Sequence, residues 1–459
     1  MFDLLVIGSG PGGYRAAVLA AQRGLSVAIV EKDEWGGACL NRGCVPKKTW
    51  YSTARLAAAA PGFAERGLRG TLEPDLAAAW RCQRKVVETV RASYVDYLAR
   101  LKIGRLHGSA KFVDRERVAI GPETIGAGCF IVATGSRPVL PLTLRGIPRV
   151  LSTDELFERP LPSGRRVALL GSGVVGAEMA FILPRLGLDV VWLTGSEVLA
   201  RSRFSESARK RLREALSAHG VTARSSSRPL RAAPEGKRVL LELPGGANER
   251  VDWVLAGTGR RPNTDELGLE AAGVCVDRTG FIVVDPVQRT SVERIYAIGD
   301  CANPAMTANH ALAEATVAVA HIIAPGSAQT RGDWVPQVVY SALELARAGA
   351  TEDELEDADT EYAVGFSAFG ANPAALADGS AEGYVRLLVG RDRGTLLGCE
   401  FAGADAGELI HLAQPGAVGE PLLTRLAQAR FAHPSRSEEF LNAAEGLVAS
   451  WGVAPTGQP

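Results

Sequence analysis

The sequence has no excess of either charge, few cysteines and no long apolar run. Lys and Arg together number 51, and so do Asp and Glu, which argues against nucleic acid or an anionic membrane surface as the main partner. Its seven cysteines, an odd number, do not suggest a secreted disulfide scaffold. No apolar stretch is long enough to cross a bilayer, and no signal peptide is visible. We therefore expect a soluble, cytoplasmic protein, and its 459 residues allow several domains.

The N-terminus has the pattern of a dinucleotide-binding unit. Phe2–Ile7 predicts a buried strand, Tyr14–Arg23 a helix, and Ser26–Val30 a second strand that ends at Glu31. Such a βαβ unit holds a pyrophosphate at the helix N-terminus, because glycines let the backbone approach closely. The glycines of the turn are Gly8, Gly10, Gly12 and Gly13. Glu31 lies at the distance from Gly8 where an acid accepts hydrogen bonds from a ribose.

A second unit of the same kind begins at Arg166. The strand Val167–Leu170 leads into a turn with Gly171, Gly173 and Gly176, a helix over Ala177–Leu186 and a strand over Asp189–Leu193. Two such units predict two bound dinucleotides.

The residue that corresponds to Glu31 in the second unit is Thr194. An acid at this position favours NAD, whereas sites for NADP replace it and carry arginines nearby. Neither the NAD pattern nor the NADP pattern is complete in this chain, which has Thr194 and Gly195 here and Arg201 and Arg203 further on. The choice between NAD and NADP stays open.

Two cysteines, Cys39 and Cys44, lie five positions apart just after the first unit. On a regular α-helix their Cα atoms would be about 8–9 Å apart, whereas a disulfide needs about 7 Å or less. A bridge therefore requires a distorted turn, which Gly43 and Pro46 could supply. Such a bridge would be easily reduced, which favours a redox role. Spacing alone leaves two ordinary buried thiols as an equal alternative.

The surrounding run resembles the active-site signature of the flavin-dependent pyridine-nucleotide disulfide oxidoreductases (class I). It reads Gly36-Gly37-Ala38-Cys39-Leu40-Asn41-Arg42-Gly43-Cys44-Val45-Pro46-Lys47-Lys48. The resemblance implies FAD in the first unit, a nicotinamide nucleotide in the second, and a redox-active Cys39–Cys44 disulfide. It also implies that Lys48 lies beside the flavin and that Glu178 pairs with this lysine. A solvated acid at a helix start is the alternative for Glu178.

Shorter motifs extend the resemblance over nearly the whole chain. Ala110 lies in a segment similar to the adenine-contacting turn, Thr134 and Gly135 in a chain-crossing motif, and Gly259 in the motif that closes the nicotinamide domain. Asp300 follows a short apolar strand and resembles the carboxylate that holds the ribityl chain of FAD. No metal site is expected.

The motif Ala432-His433-Pro434-Ser435-Arg436-Ser437-Glu438 indicates proton transfer. A carboxylate on one ring nitrogen of His433 would fix the tautomer and leave the other nitrogen as a base. A structural histidine is the alternative. In the family, this pair reaches the disulfide of the other subunit, so the resemblance implies a homodimer with shared active sites.

The predicted fold is α/β, with two Rossmann-like dinucleotide-binding domains, for FAD and NAD(P), and a C-terminal α+β dimerisation domain. We place the FAD-binding domain at 1–145 and 269–333, the NAD(P)-binding domain at 146–268 and the dimer-interface domain at 334–459. In the last, alternating segments at 362–369 and 383–390 predict an antiparallel sheet.

The predicted activity is that of a dihydrolipoamide dehydrogenase-like enzyme, which oxidises protein-bound dihydrolipoyl groups and passes electrons through FAD to NAD(P)+. His433 of the partner subunit would deprotonate the substrate dithiol, and the thiolate would attack Cys39, expected to be the more exposed sulfur. Lys47, Thr194 and Asn309 depart from the dihydrolipoamide dehydrogenase pattern. The first alternative is an NADPH-dependent reductase of a low-molecular-weight disulfide. The second is a flavin-containing binding subunit without turnover.

Overall fold

The computed structural model describes residues 1–326, 334–413, 421–422, 425–426 and 429–451. The chain divides into two compact units. The first unit comprises Met1–Thr53, Asp75–Val167 and Pro229–Gly332, and the second Ala54–Pro74, Ala168–Arg228 and Asp333–Pro459. The domain boundaries given above remain a prediction, and the end of the last predicted domain, 452–459, lies outside the described residues.

The described strands, in chain order, are β1 (Phe2–Ile7), β2 (Val27–Glu31), β3 (Gly104–His107), β4 (Ala110–Phe112), β5 (Arg117–Ile120), β6 (Glu123–Val132), β7 (Ser136–Pro138), β8 (Val150–Ser152), β9 (Arg166–Leu170), β10 (Asp189–Leu193), β11 (Arg231–Glu235), β12 (Arg238–Glu242), β13 (Asn248–Val251), β14 (Trp253–Ala256), β15 (Arg260–Pro262), β16 (Ile295–Ala297), β17 (Gln337–Val339), β18 (Leu345–Gly349), β19 (Tyr362–Ala368), β20 (Gly383–Gly390) and β21 (Leu396–Gly403).

The described α-helices are α1 (Pro11–Gln22), α2 (Gly37–Arg42), α3 (Cys44–Ala59), α4 (Leu76–Arg100), α5 (Glu155–Glu158), α6 (Val174–Arg185), α7 (Glu206–Ala218), α8 (Leu269–Ala272), α9 (Ala308–Ile323), α10 (Glu352–Asp357), α11 (Pro373–Ala377), α12 (Ala406–Leu409) and α13 (Glu438–Trp451). None of these described helices combines the length and hydropathy that a bilayer-spanning segment requires.

A seven-stranded sheet forms the centre of the first unit. Its order is β3-β2-β1-β6-β5-β4, with β16 on β6. Strands β3, β2, β1, β6 and β16 run parallel, and β4 and β5 extend the sheet as an antiparallel hairpin. Leu4, Leu5 and Val6 of β1 are completely buried, because a parallel sheet is covered on both faces and its strands are therefore continuously apolar.

Helix α1 follows β1 directly and carries the predicted glycine-rich turn at its N-terminus. Pro11 occupies the first helical position after Gly10, where its missing N–H leaves no hydrogen bond unmade. The order β1, α1, β2 is therefore the βαβ unit predicted from the sequence.

The second unit contains α6, β10 and the last three residues of β9, which form the other predicted strand–helix–strand segment, and a five-stranded sheet. The sheet order is β17-β18-β21-β20-β19, antiparallel throughout. Strands β19 and β20 confirm the antiparallel segments predicted at 362–369 and 383–390. Phe369, Phe401 and Phe440 lie in the hydrophobic core beside this sheet.

Candidate active site

Cys39 and Cys44 are joined by a disulfide, as the sequence predicted. The two residues do not share one regular helix. Helix α2 ends at Arg42 and α3 begins at Cys44, with Gly43 between them in a non-helical conformation (φ −135°, ψ −106°). This break brings the two Cα atoms to 4.8 Å, well within the reach of a disulfide.

Left-handed glycines and one buried amide fix the start of this redox segment, Gly36–Lys48. Gly36 and Gly37 have φ values of +98° and +63°, which side chains disfavour. The Asn41 amide donates to three backbone carbonyls, those of Glu34, Trp35 and Gly37. Two left-handed glycines and the Asn41 side chain therefore fix the conformation at the start of the redox segment.

Ser9, which sequence reasoning missed, connects the first glycine-rich turn to the redox segment. Its hydroxyl donates to the Glu31 carboxylate (2.6 Å) and accepts from the Gly36 N–H (2.9 Å). The Gly-Ser-Gly sequence of the turn was the signal from which this contact could have been predicted. The bond places the disulfide segment directly against the predicted FAD turn.

The first turn fits a dinucleotide. A Cβ atom added to Gly13 would overlap the Gly8 carbonyl, and one added to Gly12 would press on Ala311 (3.1 Å). Gly10, by contrast, has nothing within 4 Å of an added Cβ. Two of these glycines thus permit close packing of α1, while Gly10 borders the open space that a pyrophosphate needs.

Glu31 lies at the end of β2, and its carboxylate accepts four hydrogen bonds from the protein. The donors are the N–H and hydroxyl of Ser9 and the backbone N–H groups of Lys32 and Asp33. A carboxylate has roughly four acceptor positions, so binding of a ribose by Glu31 remains a prediction. Ala110 is buried in β4, and contact with an adenine likewise remains a prediction.

The predicted chain-crossing motif and the motif predicted to close the nicotinamide domain meet as the antiparallel pair β7 and β15. The Thr134 hydroxyl donates to the Asn263 carbonyl (2.7 Å), and the Asn263 amide donates back to the Thr134 carbonyl (3.0 Å). Gly135 (φ +69°) and Gly259 (φ +115°) border open space. This pair also places Ser136 beside Asp300, whose carboxylate accepts from the Ser136 hydroxyl (2.5 Å).

The second glycine-rich turn is built like the first. An added Cβ on Gly176 would overlap the Gly171 carbonyl, whereas Gly173 has nothing within 4 Å. The Gly171 carbonyl accepts from the Trp192 indole (2.8 Å). The turn therefore fits a second dinucleotide by the same physical test.

Thr194 has no exposed surface (0 %). Its N–H and its hydroxyl both donate to the Arg224 carbonyl, at 3.0 and 3.4 Å. Arg203, one of the arginines considered for NADP, instead pairs with Glu354 and donates to the Gly349 carbonyl. Contact of Thr194 with the nucleotide remains a prediction, and the arrangement identifies neither NAD nor NADP.

Glu178 is 4 % exposed in the first turns of α6, so the alternative of a solvated surface acid is wrong. Its carboxylate accepts from the Tyr340 backbone N–H (3.0 Å). Burial, and then nearby carboxylates, raise the pKa of Tyr340 to about 12. Lys48 lies in the first turns of α3 with its ammonium 5.5 Å from the Tyr51 ring centroid. Pairing of Lys48 with Glu178 remains a prediction.

His433 and Glu438 are in contact, as the C-terminal motif predicted. The Nδ1 atom of His433 lies 2.8 Å from a Glu438 oxygen, and the Ser435 N–H donates to the other oxygen (2.8 Å). The Ser435 N–H, and after it the His433 ring, lower the pKa of the Glu438 carboxyl. In the single chain the imidazole is 75 % exposed.

Asn372, which the sequence did not reveal, anchors this motif. Its buried amide donates to the Ser435 carbonyl (2.9 Å) and to Glu439 (3.0 Å). No local pattern predicts this contact, because Asn372 lies far away in the chain.

The exposure of the cysteines also differs from expectation: Cys44 is exposed and Cys39 is half-buried. Attack at Cys39 therefore remains a prediction without support from exposure.

Comparison with known proteins supports the same family over most of the chain. The family model described as pyridine nucleotide-disulphide oxidoreductase matches residues 2–319, and its dimerisation domain matches 335–444. A dihydrolipoyl dehydrogenase of Thermus scotoductus is 37% identical over 97% of both chains. Dihydrolipoyl dehydrogenase 3 of Pseudomonas aeruginosa is 34% identical over 96% of this chain and 97% of its own.

The fold also matches solved structures. LpdA from Mycobacterium tuberculosis has a TM-score of 0.89 and 25% identity, covering 97% of this chain and 99% of its own. The α/β class with a dimerisation domain is thus confirmed, as are FAD and a nicotinamide nucleotide as the cofactors of this class of enzyme. The chain belongs to the pyridine nucleotide-disulphide oxidoreductase family.

Proposed function

We propose that this protein is a dihydrolipoyl dehydrogenase that oxidises lipoyl-bearing proteins or a small dithiol and works as a homodimer with shared active sites. The single observation that carries the proposal is the Cys39–Cys44 disulfide in the redox segment. The names of the full-length relatives support the choice of substrate.

The residues predicted to hold FAD are Gly8, Gly10, Gly12, Gly13, Glu31, Lys48, Ala110, Thr134, Gly135 and Asp300. Those predicted to hold the nicotinamide nucleotide are Gly171, Gly173, Gly176, Thr194 and Gly259. When bound, FAD supplies the two-electron chemistry that connects a dithiol to a nicotinamide. A lysine ammonium beside the flavin favours its reduced, anionic form, which is the role we assign to Lys48, held in place by Glu178.

The cysteines perform a thiol–disulfide exchange. His433 of the partner subunit takes the proton of one substrate thiol, and the thiolate attacks Cys39 to form a mixed disulfide. The Cys39–Cys44 bond breaks, and Cys44 leaves as a thiolate. The second substrate thiol then displaces Cys39, so the substrate departs as a disulfide and the enzyme retains two electrons as a dithiol.

Glu438 prepares the imidazole for this step. Its oxygen beside Nδ1 favours the tautomer that carries the proton on Nδ1, which leaves Nε2 as the base. The matched dimerisation domain supports placing this base at a shared site.

Flavin absorbance tests the proposal. We expect dihydrolipoamide, added without oxygen to the purified holoenzyme, to bleach the oxidised flavin rapidly, and NAD+ to restore it. The C44S variant should lose this bleaching, while C82S, which changes an exposed cysteine, should retain it. A flavin that dihydrolipoamide leaves oxidised would contradict the proposed substrate.

One observation favours a second candidate, an NADPH-dependent disulfide reductase. The position that carries an acid in NAD-specific sites is the neutral, buried Thr194. Bleaching by NADPH but not by dihydrolipoamide would select this candidate.

A further inference from the structure

Arg260 lies at the centre of a polar network in the first unit that the mechanism above does not use. Its Nε–H donates to the Ser136 hydroxyl (2.7 Å), and one terminal nitrogen donates to the Ser136 carbonyl (2.9 Å). The other terminal nitrogen binds Asp154 at 2.8 Å. The guanidinium is therefore fixed on all three nitrogens, with its side chain only 25 % exposed.

These contacts dictate the direction of the Ser136 hydroxyl. A guanidinium has only donors, and a serine hydroxyl has a single proton. Because Arg260 donates to the hydroxyl oxygen, the hydroxyl proton must point elsewhere. The neighbouring acceptor is the Asp300 carboxylate, 2.5 Å away. Ser136 is 7 % exposed, so water competes little for this bond.

These contacts also orient the Asp300 carboxylate. One of its oxygens is held by a hydroxyl that Arg260 has already polarised, and such charge-assisted bonds are short and strongly oriented. The backbone around Asp300 is held as well, since the Gly299 N–H donates to the buried Glu314 carboxylate (2.6 Å). The second carboxylate oxygen is then fixed in direction before any flavin binds.

Asp154 keeps Arg260 in this position and connects it to the redox segment. Its other oxygen lies 3.8 Å from the Nε atom of Arg42, a residue that lies between Cys39 and Cys44 in the sequence. Arg42 is in turn paired with Asp33 (2.9 Å) and Glu158 (2.5 Å). Arg260 therefore cannot swing away from Ser136 without breaking its 2.8 Å ion pair with the largely buried Asp154 carboxylate.

We propose that Arg260, acting through Ser136, is a positioning residue that orients the Asp300 carboxylate for the ribityl chain of FAD. The inference rests on the proposed function, because it takes Asp300 as a flavin ligand. It adds Arg260, Ser136 and Asp154 to the groups that prepare the flavin site.

The FAD dissociation constant of the apoprotein, measured from flavin fluorescence, tests the inference. We expect S136A and R260M each to weaken FAD binding about tenfold, since each interrupts the hydrogen-bond chain from Arg260 through the Ser136 hydroxyl to Asp300. S136T keeps the hydroxyl and should bind as the wild type does. R261M is the matched control, because Arg261 is the next residue of β15 and its exposed side chain faces Asp265 instead.

The double variant S136A/R260M decides whether Arg260 acts through the serine. If it does, the double variant binds FAD no more weakly than either single variant, because both changes interrupt one chain of bonds. Additive losses, or an S136A protein with wild-type affinity, would overturn the inference. Thermal unfolding of the apoproteins identifies any variant that fails to fold, and then the S136A and S136T pair alone decides. Failure of the proposed function has another signature, a bound flavin that dihydrolipoamide does not bleach.

Discussion

At the scale of single residues, position in the backbone and burial determine which cysteines can take part in redox chemistry. Cys39 and Cys44 form the disulfide, whereas Cys301 and Cys399 are buried. Burial raises the pKa of Cys301 to about 11 and that of Cys399 to about 12. Both thiols therefore stay protonated at neutral pH and are poor nucleophiles. Cys301 is therefore not a redox partner, although it directly follows Asp300 in the sequence.

The role of Glu438 in proton transfer can be tested by substitution of this single residue. We expect E438Q to lower kcat about a hundredfold, because an amide cannot stabilise the protonated imidazole as a carboxylate does. Steady-state oxidation of dihydrolipoamide with a nicotinamide acceptor measures this effect. E445Q, which changes an exposed acid on the same helix α13, is the matched control.

The pKa of Glu438 determines how this effect depends on pH. The folded state lowers that pKa, so the charged carboxylate, and the stability it contributes, are fully present above the usual glutamate pKa. Both are lost only as the pH falls through the lowered value. The contact with His433 should therefore persist in mildly acidic solution. An E438Q enzyme as active as E445Q, or an NMR titration that shows Glu438 protonating above pH 5, would contradict this assignment.

At the scale of elements, the two ends of the first glycine-rich turn serve different purposes. We expect G13A to destabilise the apoprotein by about 2 kcal/mol, since the added methyl overlaps the Gly8 carbonyl and forces α1 away from β1. G10A should leave the apoprotein stability within about 0.5 kcal/mol, because a Cβ added to Gly10 would have no atom within 4 Å. It should nevertheless weaken FAD binding, since the methyl enters this open space.

Urea unfolding of the apoproteins and FAD titration of the folded variants measure the two effects separately. Each variant is the control for the other, as both add one methyl group to the same turn. Equal loss of stability in G10A and G13A would refute the division between packing and binding roles.

The same elements show what local sequence could predict. The β1–α1–β2 unit follows from an apolar run, a glycine-rich turn and an acid at the strand end, all within one short segment. The need for a distorted turn at Gly43 followed from the geometry of a helix, and the structure places the break there. The solvated alternative for Glu178 failed because exposure depends on which distant residues cover a helix, and a helical pattern does not contain that information.

At the scale of the whole molecule, the groups that position the site come from distant parts of the sequence. Ser136 and Arg260 meet only because β7 and β15 pair, and Asn372 reaches Ser435 from another element. Local patterns identified the reacting groups, Cys39, Cys44 and His433, because their chemistry is rare and their motifs are contiguous. They missed the supporting groups, because serine, asparagine and arginine are common and act here through tertiary contacts.

A shared active site makes a quantitative prediction for the dimer. If the base comes from the partner subunit, a heterodimer of one C44S subunit and one H433A subunit contains one intact site, since both changes fall in the other. We expect such a heterodimer, isolated with two different affinity tags, to have about half the activity of the wild-type dimer. The C44S and H433A homodimers should both be nearly inactive. If each subunit instead used its own histidine, every site of the heterodimer would carry one defect, and its activity would be as low as that of the homodimers. Mixed dimers of C82S and C44S are the control, because they should keep one working site under either arrangement.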